Sequence, residues 1–180
     1  MNRRTAIIFL CVLCIGGFTA YGQFTGGSSW KQYSFENGTL LVHLPFALKS
    51  TTPRSVGRRI DYAQNYRAGN DRLNIILSYI ELKDDYEFVL KEMFDHSLKA
   101  LKKRTDIKVL GHKYEELKYG PYPAGKMTVD YVSGSTKFTS QYVYILMGGD
   151  RSWCLINTYP SANSKSKEAS DRVLASVKLE

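Results

Sequence analysis

Apolar and polar side chains alternate through much of the chain from residue 30 onward. Met127, Val129 and Tyr131 alternate with Lys126, Thr128 and Asp130, the period-two pattern of a half-buried strand. Two runs rich in aromatic and β-branched residues follow at Lys137–Met147 and Ser152–Tyr159. Gly148-Gly149-Asp150-Arg151 between them signals a hairpin, because glycine reaches positive φ without steric cost. Strands Lys126–Ser133, Lys137–Met147 and Ser152–Tyr159 are therefore expected at the centre of an antiparallel sheet.

The same pattern organises the first half of the chain. Trp30–Glu36 and Thr39–Leu44 are expected strands joined at Asn37-Gly38, with Ala47–Gly57 as a loop. Asn37-Gly38-Thr39 also spells a glycosylation sequon, which turn chemistry alone explains. Arg58–Tyr66 places Ile60, Tyr62 and Tyr66 on one face and Arg59, Asp61 and Asn65 on the other. Leu73–Leu82 is apolar on both faces and reads as an interior strand.

Two helices complete the pattern. Asp84 and Glu87 stand at capping-box spacing, and Leu90, Met93, Phe94, Leu98 and Leu101 form a buried stripe. That spacing predicts a helix from Asp84 to about Arg104. Short strands are expected at Ile107–Leu110 and Tyr114–Lys118, then a stiff aromatic loop over Tyr119–Gly125. A last helix, capped by Ser161 or Asn163, runs to about Val177 with the stripe Ala162, Ala169, Val173, Leu174 and Val177. The fold class expected is α+β: one domain with an antiparallel β-sheet flanked by helices.

The first residues fit none of this. Arg3 and Arg4 precede an apolar run over Ala6–Phe18, and Ala20 and Gly22 offer small residues for cleavage before Gln23. Residues 1–22 are thus expected to be a signal peptide, 23–29 a Gly/Ser-rich flexible lead-in, and 30–180 the domain. The apolar run is short of the roughly 20 residues a spanning helix needs. Lipidation at Cys14 is disfavoured, because the bulky Leu13 stands before it. The expected product is exported, periplasmic or extracellular, with no transmembrane span in the mature chain.

The formal charge of the whole chain is +8, and loss of Arg3 and Arg4 brings it to +6. That balance suits an envelope protein or an anionic surface as partner, and falls short of a dedicated nucleic-acid binder. Cys11 and Cys14 lie in the leader, leaving Cys154 alone, so no intramolecular disulfide is expected. Cys154 stands between Trp153 and Leu155 as a buried structural thiol.

Several segments together resemble the PsbP-like superfamily, which includes DcrB-type bacterial envelope proteins. They are Tyr33-Ser34-Phe35, Gly38–Pro45, the middle helix, the long meander, Tyr159-Pro160-Ser161 and Asp171–Val177. The likeness spans Trp30–Leu179 and implies a central antiparallel sheet between helices, an α/β/α sandwich. It also implies a protein-binding or assembly accessory. No functional residue is carried across, because fold alone does not give function.

No catalytic residue, metal ligand set or cofactor motif stands out. His43, His96 and His112 lie far apart, and there is no phosphate loop, nucleophile elbow or His-Glu-x-x-His. Two surfaces are candidates for binding. Arg54, Arg58 and Arg59, with Arg67 and Arg72 if their strands pair, could hold carboxylate or phosphate groups. Tyr119 and Tyr122, flanked by prolines, could make a rigid aromatic contact. The expected function is that of a non-catalytic binding or assembly accessory of the cell envelope. The alternatives are an enzyme, hydrolase-like, whose site assembles only in space, or a carrier of a small ligand.

Overall fold

The computed structural model describes residues 4–5, 30–51 and 58–180. The expected leader and lead-in lie outside the described residues, apart from Arg4–Thr5. In chain order the elements are β1 (Arg4–Thr5), β2 (Lys31–Phe35), a 3-10 turn (Glu36–Gly38), β3 (Leu40–Leu44), β4 (Lys49–Thr51), β5 (Ile60–Gly69), β6 (Asn74–Leu82) and β7 (Tyr86–Glu87). Then come α1 (Leu90–Lys102), β8 (Ile107–Tyr119), β9 (Tyr122–Ser133), β10 (Thr136–Met147), β11 (Arg151–Pro160), α2 (Ser164–Ala175) and β12 (Lys178–Leu179).

Seven strands form an antiparallel sheet in the order β4-β5-β6-β11-β10-β9-β8. A smaller antiparallel sheet has the order β12-β3-β2, and β1 lies parallel to β7. The expected meander is present as β9, β10 and β11, and β6 is the interior strand its two apolar faces require. Those faces carry two separate cores. Ile76 and Ile80 join Tyr142, Tyr144 and the α1 residues Met93, Phe94, Leu98 and Leu101 on one side. Leu77 joins Val143, Trp153 and Leu155 beneath α2 and the small sheet on the other. One face is thus covered by α1, while α2 shares the second with a three-stranded sheet that the periodicity did not separate.

The structure corrects several local expectations. The helix begins at Leu90 after Val89, without a side-chain cap, so Asp84 and Glu87 form no capping box. Tertiary pairing wins there. The Phe88 N–H donates to the Gly149 carbonyl at 2.7 Å, and Phe88 is buried, which draws the preceding residues out against the β10–β11 turn. Residues 107–119 form one strand with a bulge between Val109 and Gly111, where two short strands were expected.

The expected aromatic loop is a hairpin: Tyr119 pairs with Tyr122 across Gly120-Pro121, and Pro123, Ala124 and Gly125 belong to β9. Gly120 at φ +60° followed by proline fits the type II′ turn that right-twisted strands favour. In β5, a register shift between Ile60 and Tyr62 moves Ile60 to the α1 side, opposite Tyr62 and Tyr66. Asn65, expected outside, is buried. On α2, Asn163 caps as expected, its side chain accepting from the Ser166 N–H. The inner face uses Ser166 and Ser170 beside Val173 and Leu174, and Ala162 is exposed.

Candidate binding cleft between α1 and the β8–β9 hairpin

The first turns of α1 do not lie flush on the sheet. Between Leu90, Phe94 and Asp95 on the helix and residues 114–118 and 123–125 on the hairpin is a cleft of about 870 Å³. Its floor is apolar. Phe94 sits 5.3 Å from the Tyr114 ring and 5.1 Å, edge-on, from Tyr144. Ser97, one helical turn on, shares a 2.6 Å hydrogen bond with the Tyr144 hydroxyl in the core, which fixes the helix over β10. Tyr114 is 44% exposed, so its ring is both wall and open surface.

The rim is charged. Lys91 pairs with Asp95 at 3.1 Å along the helix. On the hairpin, Glu116 and Lys118 supply the charge at the rim. On the hairpin's other face, the α2 side, Glu115 accepts from Lys113 at 2.8 Å and from Lys126 at 2.7 Å. The two ammonium groups hold its carboxyl down at about 2. Burial, reinforced by the Asp95 carboxylate, raises Tyr114 above the ordinary phenol range. An apolar floor with a mixed charged rim is binding chemistry. Among the described residues, no three His, Cys, Asp or Glu side chains are grouped to hold a metal.

The sequence candidates lie elsewhere. Arg54 is outside the described residues. Arg58 is exposed, and Arg59 lies 5.2 Å from the Tyr86 ring centroid in a cation–π contact. Strands β5 and β6 do pair, but antiparallel, so Arg67 stands near the far end of β5 and Arg72 in the turn beyond it. They do not join Arg58 and Arg59. The Tyr119 hydroxyl donates to the Leu174 carbonyl at 3.2 Å, and burial raises its pKa. Tyr119 also lines a second cleft of about 700 Å³ with Lys126, Asp171 and Lys178. Tyr122 packs on the same core, so both tyrosines belong to the α2 side of the hairpin.

Sequence reasoning missed Tyr114 and Gly125 and assigned Phe94 wholly to the core. Only strand order places them together, and no local pattern encodes it.

The fold of this two-helix, sheet-dominated α+β domain has a counterpart among solved structures. Among solved structures, the chain is similar to cyanobacterial PsbP (CyanoP) from Synechocystis sp. PCC 6803. The TM-score is 0.55 at 13% identity, covering 91% of this chain and 100% of that one. It is also similar to LpqN, involved in cell envelope biogenesis of Mycobacterium tuberculosis, with TM-score 0.47 at 13% identity, covering 85% of this chain and 86% of that one. No family model matches the chain, and no curated protein does.

Proposed function

We propose that this chain is an exported, non-catalytic accessory protein of the cell envelope that binds another protein through the cleft between α1 and the β8–β9 hairpin. The cleft carries the reading: an open aromatic floor, charged at its rim, is the arrangement of a protein contact with a desolvated centre. The PsbP-like fold and the leader-like first 22 residues are consistent with it. No helix among the described residues is long and apolar enough to cross a membrane. The basic end at Arg58 and Arg59 is the second candidate surface. A small-ligand carrier is the competing reading, favoured by a cleft volume within the range of ligand pockets.

Site-specific photo-crosslinking in cells separates these. A crosslinker is placed at Glu116 on the cleft rim, at Arg58, and at the exposed Lys165 as control. One envelope protein captured from Glu116 and not from Lys165 is the expected result. Capture from Arg58 alone moves the site to the basic end. No capture anywhere, together with a small molecule retained in native mass spectrometry, replaces this reading with the carrier.

A further inference from the structure

Strand β8 is an edge of the large sheet: β9 pairs with one side, and among the described strands none pairs with the other. It is 13 residues long, and its pairing with β9 runs unbroken from Gly111 to Tyr119. A long edge of that kind is a template for another strand unless it is blocked. The single bulge lies before Gly111, which leaves the segment beside the cleft regular.

The hairpin fixes which backbone groups of β8 face outward. A two-residue turn makes Tyr119–Tyr122 the pair that exchanges both hydrogen bonds, so the alternate residues Lys118, Glu116, Tyr114 and His112 direct their N–H and C=O away from β9. Their side chains share the face that carries α1, as the Tyr114 contacts to Phe94 and His112 show. The residues that offer free backbone groups are therefore those that line or flank the cleft. Two of the three exposed large hydrophobic side chains among the described residues, Leu110 and Tyr114, lie on this strand.

Charge selects the occupant. Asp95 and Glu115 are already paired within the protein. Lys99 and Lys102 follow Asp95 at four and seven residues, on the helix side that faces β8. With Lys108 and Lys118 they make four cations free of ion pairs among the described residues, against the one carboxylate of Glu116.

Building on the protein-binding reading above, we propose that β8 receives an extended acidic segment of the partner as an additional strand. Its backbone pairs with residues 112–118, and one aromatic or aliphatic side chain enters the cleft against Phe94 and Tyr114. Main-chain hydrogen bonds supply affinity in this mode, and the cleft supplies selectivity.

The test uses the purified full chain and a displayed library of random dodecapeptides. Enriched peptides are expected to alternate acidic and apolar residues around one aromatic. The tightest peptide should slow amide exchange at Tyr114, Glu116 and Lys118 at least about tenfold. Methylating alternate backbone nitrogens of that peptide should weaken binding by a similar factor, which leaves the protein untouched. Glu116→Pro should do the same while retaining the fold, since proline is tolerated where a strand N–H faces outward at an edge. Lys99→Glu with Lys108→Glu should weaken binding and flatten its salt dependence. The proposal is overturned by failure to enrich any acidic alternating peptide, by binding that leaves the β8 amides unprotected, or by indifference to backbone methylation. An envelope protein crosslinked at Glu116 that leaves β8 exchange unchanged sinks strand addition while the protein-binding reading stands.

Discussion

A side chain at position 125 would begin where the Phe94 ring already lies: a Cβ built on Gly125 falls 2.7 Å from Phe94 Cε2 and 2.9 Å from Cζ. Glycine there lets α1 press an aromatic ring directly onto the backbone of β9, and that contact sets the depth of the cleft. Gly125→Ala should destabilise the protein by about 1–3 kcal/mol, the usual cost of overpacking a filled interior. Urea unfolding measures it. Phe94→Leu introduced alongside should recover part of the loss, because it removes the ring the new methyl strikes. A neutral Gly125→Ala would show that the helix is free to shift and does not define the cleft.

The opposite face is held by a polar cluster in place of a ring. The Ser170 hydroxyl donates to Gln141 Oε1 at 2.6 Å, and Asn157 Nδ2 donates to the Ser170 carbonyl at 3.3 Å. All three side chains are buried. Ser170→Ala should cost about 1–3 kcal/mol, since it strands a desolvated amide oxygen. Ser170→Leu should cost more, because a large residue would lift α2 off the sheet. Thermal melts of both variants check the order, and a Leu variant as stable as Ala would contradict the close approach.

Acid should loosen the hairpin at Glu115. Its carboxyl is held at about 2 by Lys113 and Lys126, below the ordinary value near 4.3. A depressed acid contributes stability above its unfolded pKa and loses it as pH falls through the folded value. The expected loss therefore lies between about pH 4.5 and 2. The carboxylate is one-third exposed, so solvent screening limits the effect to about 1 kcal/mol at most. Glu115→Gln should flatten stability across that window, and the difference from the parent should vanish only at its acid end, near pH 2.

Alkali should act at the other end of the sheet. Burial, and then its 2.5 Å hydrogen bond to Glu36, raise the Tyr66 phenol well above its ordinary value. The neutral form is favoured in the fold, so its contribution is present below about pH 10 and fades as pH rises through the raised value. Glu36 itself stands at φ +43°, a conformation that costs a non-glycine residue about 1–2 kcal/mol. Tyr66→Phe should remove one late component from the tyrosinate absorbance titration. It should also destabilise the protein at pH 7, since it removes one of the two phenol hydroxyls that donate to the Glu36 carboxylate.

What the sequence made legible follows its shortest-range physics. The meander announced itself because period-two alternation and Gly148-Gly149 are local, and β6 did so because both its faces are apolar. The start of α1 is not legible because Asp84 and Glu87 look like a cap until Phe88 is seen bonded to Gly149, far along the chain. Alternation in β5 failed at one inserted residue, which turns Ile60 away from Tyr62. The serines under α2 look like solvent-facing positions, since hydroxyls carry no apolar signal, yet only small side chains let the helix come close. The cleft was beyond reach for a related reason. Phe94, Tyr114 and Gly125 meet only once β8 has been placed outside β9 and beneath α1.

The junction between β6 and β11 sets a clock on this molecule. Ile76 lies opposite Ile156, so the two halves of the large sheet come from distant parts of the chain. The small sheet likewise closes only when Leu179 reaches Leu40. Such long-range pairing is slow to form, and it cannot be completed before β11 and β12 have been made. A chain threaded through a translocation pore as it is synthesised would therefore stay pliable until its last strands emerged. On the exported reading proposed above, that delay keeps the chain unfolded for its passage through a membrane.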